Sequence, residues 1–430
     1  MAMVVKNNMS AVRTLNVLNQ NSTALSKSLT KVASGMKING AQDDAAGYAI
    51  SERMRVRIRS LDQANQNSQN DSALMKTAEG AVANTIEILK ALKEKAINAA
   101  NDSNTDEDRQ TIQKEVDQFI DQIDDNALVQ FNGKYLVDGS KNNVVSSSKT
   151  ILLNQFLDTG TTTTSNLTAL KNRAGDSLEI LSTDKYTVSW VINGTTNTTS
   201  AQVSDAQLTS LLSLAGVATQ GTSSDALGTD KFNVEVYTPD KTAGIALVAS
   251  TAGVTSQVSG FTISIMDAEG NVKKAANAAL DQFKQYQRAE NQTGDQSLNF
   301  HVGSEANVAI KVGMGDMRSE ALGLKGSSGD RILVTTKENA NASINVIENA
   351  LTKALDQQTT IGAIEARLEY TSANLTTSSE NVQASESTIR DADMAKEMTN
   401  YTKNNVLLQS AQAMLAQANQ NSSAVLSLLQ

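Results

Sequence analysis

A mainly α-helical fold is predicted, with long coiled-coil terminal helices, an elongated helical bundle and a β-rich central insertion that makes the domains discontinuous. Three observations predict it. The 430 residues contain one proline, Pro239, so almost nothing interrupts helices longer than the usual ~11 to 12 residues. Both ends carry apolar residues at a 3.5-residue period, and the middle alternates apolar with polar residues between Thr-rich turns. With 40% hydrophobic but only 3% aromatic residues, the helices must pack on Ala, Leu, Ile, Val and Met.

At the N-terminal end, alternating steps of four and three residues connect Val4, Asn8, Ala11, Leu15, Leu18, Ser22, Leu25, Leu29, Val32 and Met36. At the C-terminal end the same step connects Leu407, Ala411, Met414, Ala418, Asn421, Val425 and Leu428. Such a period is the seam of a coiled coil, in which each helix buries a narrow stripe against a partner. An isolated helix has nothing to bury its stripe against and owes little stability to propensity. The remaining faces are rich in Asn, Gln, Ser and Thr rather than charge, which points to packing among many copies.

Inward from the ends the helical pattern gains charge. Met75, Ala78, Val82, Ile86, Leu89, Leu92 and Ala96 share one stripe; "NDSNTDEDRQTI" then breaks it, with Thr105 and Asp108 spaced as an N-cap. A second helix carries Ile112, Val116, Phe119 and Ile123, and a third carries Ile344, Ile347, Leu351, Ala354, Ile361, Leu368 and Leu375. Compatible stripes on three or four helices are what a bundle needs.

Roughly residues 140–298 change character. Tyr186, Val188, Trp190 and Ile192 alternate before Asn193-Gly194, a strand followed by a hairpin signal. Phe232, Val234 and Val236 predict a further strand, as do Phe261, Ile263 and Ile265. Helical sequence on both sides makes the fold discontinuous: 1–42 with 391–430 as a coiled-coil domain, 43–140 with 299–390 as the bundle, and 141–298 as the insertion projecting between them.

A net charge of −9 and a pI near 4.9 argue against a nucleic-acid binder, which shows a basic face. No segment reaches the ~18 to 20 consecutive apolar residues of a membrane span, and the N-terminus lacks the apolar core of a cleavable signal. Without cysteine there is no disulfide framework or thiolate metal site. His301 is the only histidine, which excludes sites built on several imidazoles. "VGMGDMRSEALGLKG" fits neither phosphate-binding fingerprint. No catalytic, metal or cofactor residue is assigned, and no enzyme is expected.

"NGAQDDAAGYAISERMR", residues 39–55, is read as a break between helices. Gly40 to Asp44 breaks the heptad ahead of Gly47, and Asp43 and Asp44 cap the helix that begins near Ala45. "RMRVRIR" sets Arg53 with Arg57 and Arg55 with Arg59 on two helix faces, either solvated or paired with acidic neighbours in an assembly.

The segments "KVASGMKINGAQDDAAGYAISERMR", "TAEGAVANTIEILK", "VQFNGKYLVDGS", "VGMGDMRSEALGL" and "ASESTIRDADMAKEMTNYTKNNVLLQSAQAMLAQANQNSSAVLSLL" resemble bacterial flagellin in order and at both termini. The resemblance covers about 1–140 and 299–430. It implies that the terminal helices pair as the innermost layer of a helical, extracellular filament of many copies. It also implies unfolded export through the flagellar apparatus, an export chaperone on about Asp391 to Gln430, and hook-junction and cap proteins as neighbours. Residues 39–47 then resemble the spoke between layers. A filament-junction or cap-like protein of the same pathway is the alternative.

Flagellins sensed by a Toll-like receptor carry "L-x-x-V-x-E-L-A", usually with an arginine before the valine-like position. Here the aligned run is "LKALKEKA": Ala91 stands at the arginine position and Lys95 at the second leucine, while Glu94 and Glu115 are retained. The resemblance implies weakened receptor recognition. Hydroxyls such as "TTTTS" at 161–165 are candidate glycan acceptors or a plain exposed loop.

Overall fold

The computed structural model describes residues 8–204, 206–213, 218–221, 227–239 and 243–428, with the side chains of 218–221 and 422–428 outside the description. Seven helices and thirteen strands follow in chain order among these residues: α1 (Met9–Ser34), α2 (Ala45–Ala99), α3 (Asp106–Ala127), β1 (Gln130–Phe131), β2 (Lys134–Tyr135), β3 (Ile151–Asn154), β4 (Lys185–Ile192), β5 (Thr195–Gln202), α4 (Leu208–Ser213), β6 (Ala218–Gly221), β7 (Gly228–Thr229), β8 (Glu235–Val236), β9 (Ile245–Val248), β10 (Val258–Met266), α5 (Lys274–Leu280), β11 (Lys284–Gln287), β12 (Leu298–His301), β13 (Ala309–Val312), α6 (Lys337–Arg390) and α7 (Met394–Leu428). The absence of proline from all but one position is realised in α2 and α6, of 55 and 54 residues.

Two compact units divide the chain, and the division falls inside α2 and α6. One unit comprises the described residues up to 67, then 301–308, and 370 onward; the other comprises 68–300 and 309–369.

In the second unit the expected α2 stripe, from Met75 to Ala96, is wholly buried. On α3 the buried apolar positions are Val116, Ile120, Ile123 and Ala127, so Ile120 takes the place expected of Phe119, which is only half-buried. Thr105 and Asp108 form a reciprocal capping box, which satisfies two free amides at the start of α3. Polar contacts tie the elements. Gln113 of α3 donates to Ile332 O at 3.0 Å and accepts from Val334 N at 2.7 Å, and Ser68 of α2 donates to Leu368 O of α6 at 3.2 Å.

The middle is β-rich, in two main sheets ordered β10-β4-β5 and β11-β3-β9-β6, with every assigned strand pair antiparallel. Asn193 and Gly194 join β4 to β5 with φ of 49° and 74°, the two left-handed residues of a tight hairpin. A Cβ at Gly194 would lie 2.3 Å from Gly326 N and 2.4 Å from Asp330 O, so glycine is required there. Val188, Trp190, Phe261, Ile263 and Ile265 form the core of this region with α4 and α5, and Phe261 meets Phe283 edge-on at 5.1 Å. The strand expected at Phe232, Val234 and Val236 shrinks to Glu235–Val236. Phe232 and Val234 are 66% and 60% exposed: alternation alone does not make a strand when no neighbouring sheet covers the face.

Candidate assembly surface

Helix α1 opens on Asn8, whose side-chain oxygen accepts from Ala11 N at 3.0 Å, and ends on Gly35, whose left-handed φ of 71° lets its N–H reach Lys31 O. Helix α7 opens on Asp393, which accepts from Ala395 and Lys396 N–H groups at 3.0 and 3.2 Å. The two helices lie antiparallel. Asn8 Nδ2 donates to Ala418 O and Asn21 Nδ2 to Leu407 O, each at 3.2 Å, while Asn404 Nδ2 donates to Ser28 Oγ at 2.9 Å. Both ends therefore find a partner within their own chain, namely each other.

This geometry corrects the expected seam. From Ala11 the half-buried and buried line runs Thr14, Leu18, Asn21, Leu25, Ser28 and Val32, stepping three then four. Ala11, Leu18, Leu25 and Val32 lie on it, but Leu15 and Leu29 stand one residue aside, 46% and 52% exposed. On α7 the facing line is Tyr401, Asn404, Leu408, Ala411, Leu415 and Ala418. Ala411 and Ala418 lie on it, whereas Leu407 and Met414 are 42% and 63% exposed. The shift has a physical cause. On α1, Asn21 and Ser28 alternate with the apolar seam residues because their polar atoms pair across the helices, so counting only apolar residues selects the neighbouring column. On α7 the column of Tyr401, Leu408 and Leu415 lies beside Leu407 and Met414, and apolar counting does not distinguish the two. Met36 is half-buried; Val4 lies outside the described residues, as do the side chains of Val425 and Leu428.

What the pair leaves uncovered includes large apolar side chains on several sides of both helices. Met9, Val12, Leu15, Val17 and Leu29 of α1 and Met394, Met398, Val406, Leu407 and Met414 of α7 are all exposed. Large side chains on two helices of a single unit seldom stay wet without a covering surface.

The segment between α1 and α2 is held as a short two-stranded link. Lys37 N donates to Arg390 O at 2.7 Å and Ala392 N to Gly35 O at 2.9 Å, with Met36 opposite Asp391. The two aspartates divide the expected capping role. Asp44 accepts from Ala46 and Gly47 N–H groups at 3.1 and 3.0 Å and caps α2; Asp43 instead accepts from Asn39 N at 3.1 Å and closes the turn before it. Gly40 is outside the left-handed region, so the bend belongs to Gly35. Gly47 is needed for space: a Cβ there would lie 2.5 Å from Asp44 Oδ2 and 2.8 Å from Ile38 Cδ1.

Arg390, at the end of α6, is the residue that the sequence did not single out. Its guanidinium donates to Glu52 Oε1 at 2.6 Å and to Met36 Sδ at 3.0 Å, and it stacks 5.5 Å from the Tyr48 ring centroid. The hydrogen bond from Arg390 holds the Glu52 carboxyl below its ordinary value, against partial desolvation and with help from the charges of Arg390 and Arg55. Arg55 pairs with Glu52 at 3.4 Å; Arg53, Arg57 and Arg59 are exposed.

At the receptor-like run, Ala91 is half-buried and Glu94 exposed, and Lys95 is ion-paired with Glu115 of α3. Lys95 is thus a partnered charge on the surface of the bundle. His301 is exposed on β12. Among the described residues there is no cluster of His, Cys, Asp and Glu that would hold a metal, and no helix is long and apolar enough to cross a membrane.

The bacterial flagellin N-terminal helical region matches residues 5–142, and the bacterial flagellin C-terminal helical region matches 344–429. A flagellin of Clostridium tyrobutyricum is 34% identical over 97% of this chain and 99% of its own length; one of Bacillus subtilis is 30% identical over 99% and 100%. A flagellar hook-associated protein-3 of Legionella pneumophila superposes at a TM-score of 0.34 with 15% identity, covering 78% of this chain and 97% of its own, which is too distant to carry an argument. The matched regions hold the α1·α7 pair, the capped break at Asp44 and most of the buried helical stripes, and the chain belongs to the bacterial flagellin family.

Proposed function

We propose that this chain is the structural subunit of a helical flagellar filament, polymerising outside the cell through the exposed apolar side chains of the α1·α7 pair. The single observation that carries the reading is that ten large apolar side chains on two paired helices remain exposed in one copy. Burying the exposed half of such a side chain is worth about 1 kcal/mol, and the gain recurs at each contact of every added copy. A patch that meets a different patch on the next copy never closes, which generates a filament rather than a ring. Several relatives bear names of flagellar filament core proteins, from Treponema maltophilum and Treponema phagedenis, at 26% and 27% identity over nearly their whole length; those names support the filament over a junction or cap role.

In this reading 1–42 with 391–430 form the inner layer, 43–140 with 299–390 the surrounding bundle, and 141–298 the outward insertion. Export proceeds unfolded, with a chaperone on about 391–430, and hook-junction and cap proteins bound the filament. Recognition by the flagellin-sensing Toll-like receptor is weakened, because Ala91 lacks an arginine's bidentate donor and Lys95 is committed to Glu115. Full-potency signalling by purified monomer in a reporter assay would overturn that part alone.

The reading is tested by removing residues 394–430. The truncated chain is expected to remain a folded monomer that neither polymerises nor adds to seeds; normal polymerisation would refute the role of the α1·α7 pair.

A further inference from the structure

A cavity of about 340 Å³ lies within the second unit, between the start of the insertion, the strand β11 region and α6. Four cations and three carboxylates line it, and their pairing is uneven. Arg288 is bonded to Asp356 at 3.0 Å and Arg318 to Asp316 at 2.6 Å. Lys231 and Lys353 have no ion pair among the described residues, and Glu290 is the one lining carboxylate outside such a pair. Lys353 donates to Ala321 O at 2.8 Å, which uses one of its three N–H groups. Enclosure of its ammonium pushes its pKa down, opposed by Glu290 and Asp316 and reinforced by Arg288 and Lys231.

An enclosed ammonium with unspent donors is costly unless an anion or a set of oxygen acceptors completes it. Lys353 and the exposed Lys231, whose ammonium lies 5.4 Å from the Phe232 ring centroid, beside one unpaired carboxylate leave the cavity with a local excess of positive charge, although the whole chain carries −9. At the rim stand Phe232 and Val144, 66% and 55% exposed, which give a bound molecule an apolar edge to rest on. The volume falls within the usual range for small-molecule sites.

We infer that this cavity binds a small oxyanion, a carboxylate- or phosphate-bearing molecule of about the size of one sugar, with Lys353 and Lys231 as its cationic contacts. The bound oxygens take the free donors of Lys353, Lys231 closes from the side, and the ring of Phe232 covers the apolar face. None of these residues belongs to the α1·α7 pair.

The test is calorimetric titration of the full chain with sodium glucuronate, inorganic phosphate and the neutral methyl glucoside. Saturable binding of glucuronate, phosphate or both is expected, with none of the glucoside; glucuronate alone identifies a sugar acid and phosphate alone a phosphate ligand. Lys353→Met and Lys231→Met should each weaken binding roughly 10-fold or more, the loss of one charged hydrogen bond, and Lys149→Met should not. If Lys353→Met unfolds the protein, Lys231→Met, at the wall of the cavity, carries the test. Binding of neither anion, or unchanged affinity in a folded Lys231→Met chain, overturns the inference.

Discussion

Arg390 Nη1 lies 2.6 Å from Glu52 Oε1, joining the last residue of α6 to the second turn of α2 across 338 positions of sequence. The same guanidinium reaches Met36 and Tyr48, so one side chain fastens the link between α1 and α2. Because Glu52 is held below its ordinary value of 4.5, the pair stabilises the fold above that value and its contribution is lost as pH falls through the folded-state pKa. Glu52→Gln should therefore lower the melting temperature at about pH 7 and leave it close to wild type at about pH 3. Equal losses at both pH values would show that the charge is not what Arg390 requires.

Asp71 behaves in the opposite sense. Burial pushes its carboxyl up from 3.8 to about 6. Its charged form is penalised only in the folded state, so a cost opens as pH rises above 3.8 and is complete above about 6. Asp71→Asn should raise the melting temperature at about pH 8 and leave it unchanged at about pH 3, a difference that thermal melts at the two pH values would reveal.

Gly35 ends α1 with φ 71°. Gly35→Ala places a Cβ in the left-handed region and should cost about 1 to 2 kcal/mol in unfolding by denaturant. Gly40→Ala, where φ is not left-handed and the nearest atom to a new Cβ is 4.0 Å away, should cost little. Equal costs at the two sites would move the bend away from Gly35.

The helical seams show how far a sequence of this kind can be read. The heptad columns through Ala11, Leu18, Leu25 and Val32 and through Ala411 and Ala418 are legible because apolar residues recur there every seven positions. The alternate column of α1 is not, since Asn21 and Ser28 are polar and reveal themselves as seam residues only when a partner helix supplies a hydrogen-bonding group; that of α7, through Leu408 and Leu415, is apolar but adjoins the equally apolar Leu407 and Met414. The hairpin at Asn193-Gly194 is legible from local backbone chemistry, whereas Phe232 alternates like a strand residue without a sheet to cover it. Arg390 is silent in sequence for a different reason: its importance comes from meeting residues from two other elements.

Amides within the seam also predict a trade. Asn21→Leu removes a donor that crosses to Leu407 O and supplies apolar surface in its place. Double substitution with Asn404→Leu should raise helicity and protease resistance of the terminal segments, because apolar contacts replace weakly favourable polar ones, while loosening the register that the amides specify. Limited proteolysis of monomer would report it; faster trimming of the double variant would show that the amides carry more stability than leucine returns.

The most direct measurement is electron microscopy of seeded protein, comparing wild type with a chain carrying Leu15→Glu, Leu29→Glu and Met414→Glu. All three side chains are exposed in one copy, so the monomer should keep its melting temperature. Long filaments from wild type and none from the substituted chain are predicted. Filaments from both, or from neither, would contradict the account that neighbouring copies cover these side chains.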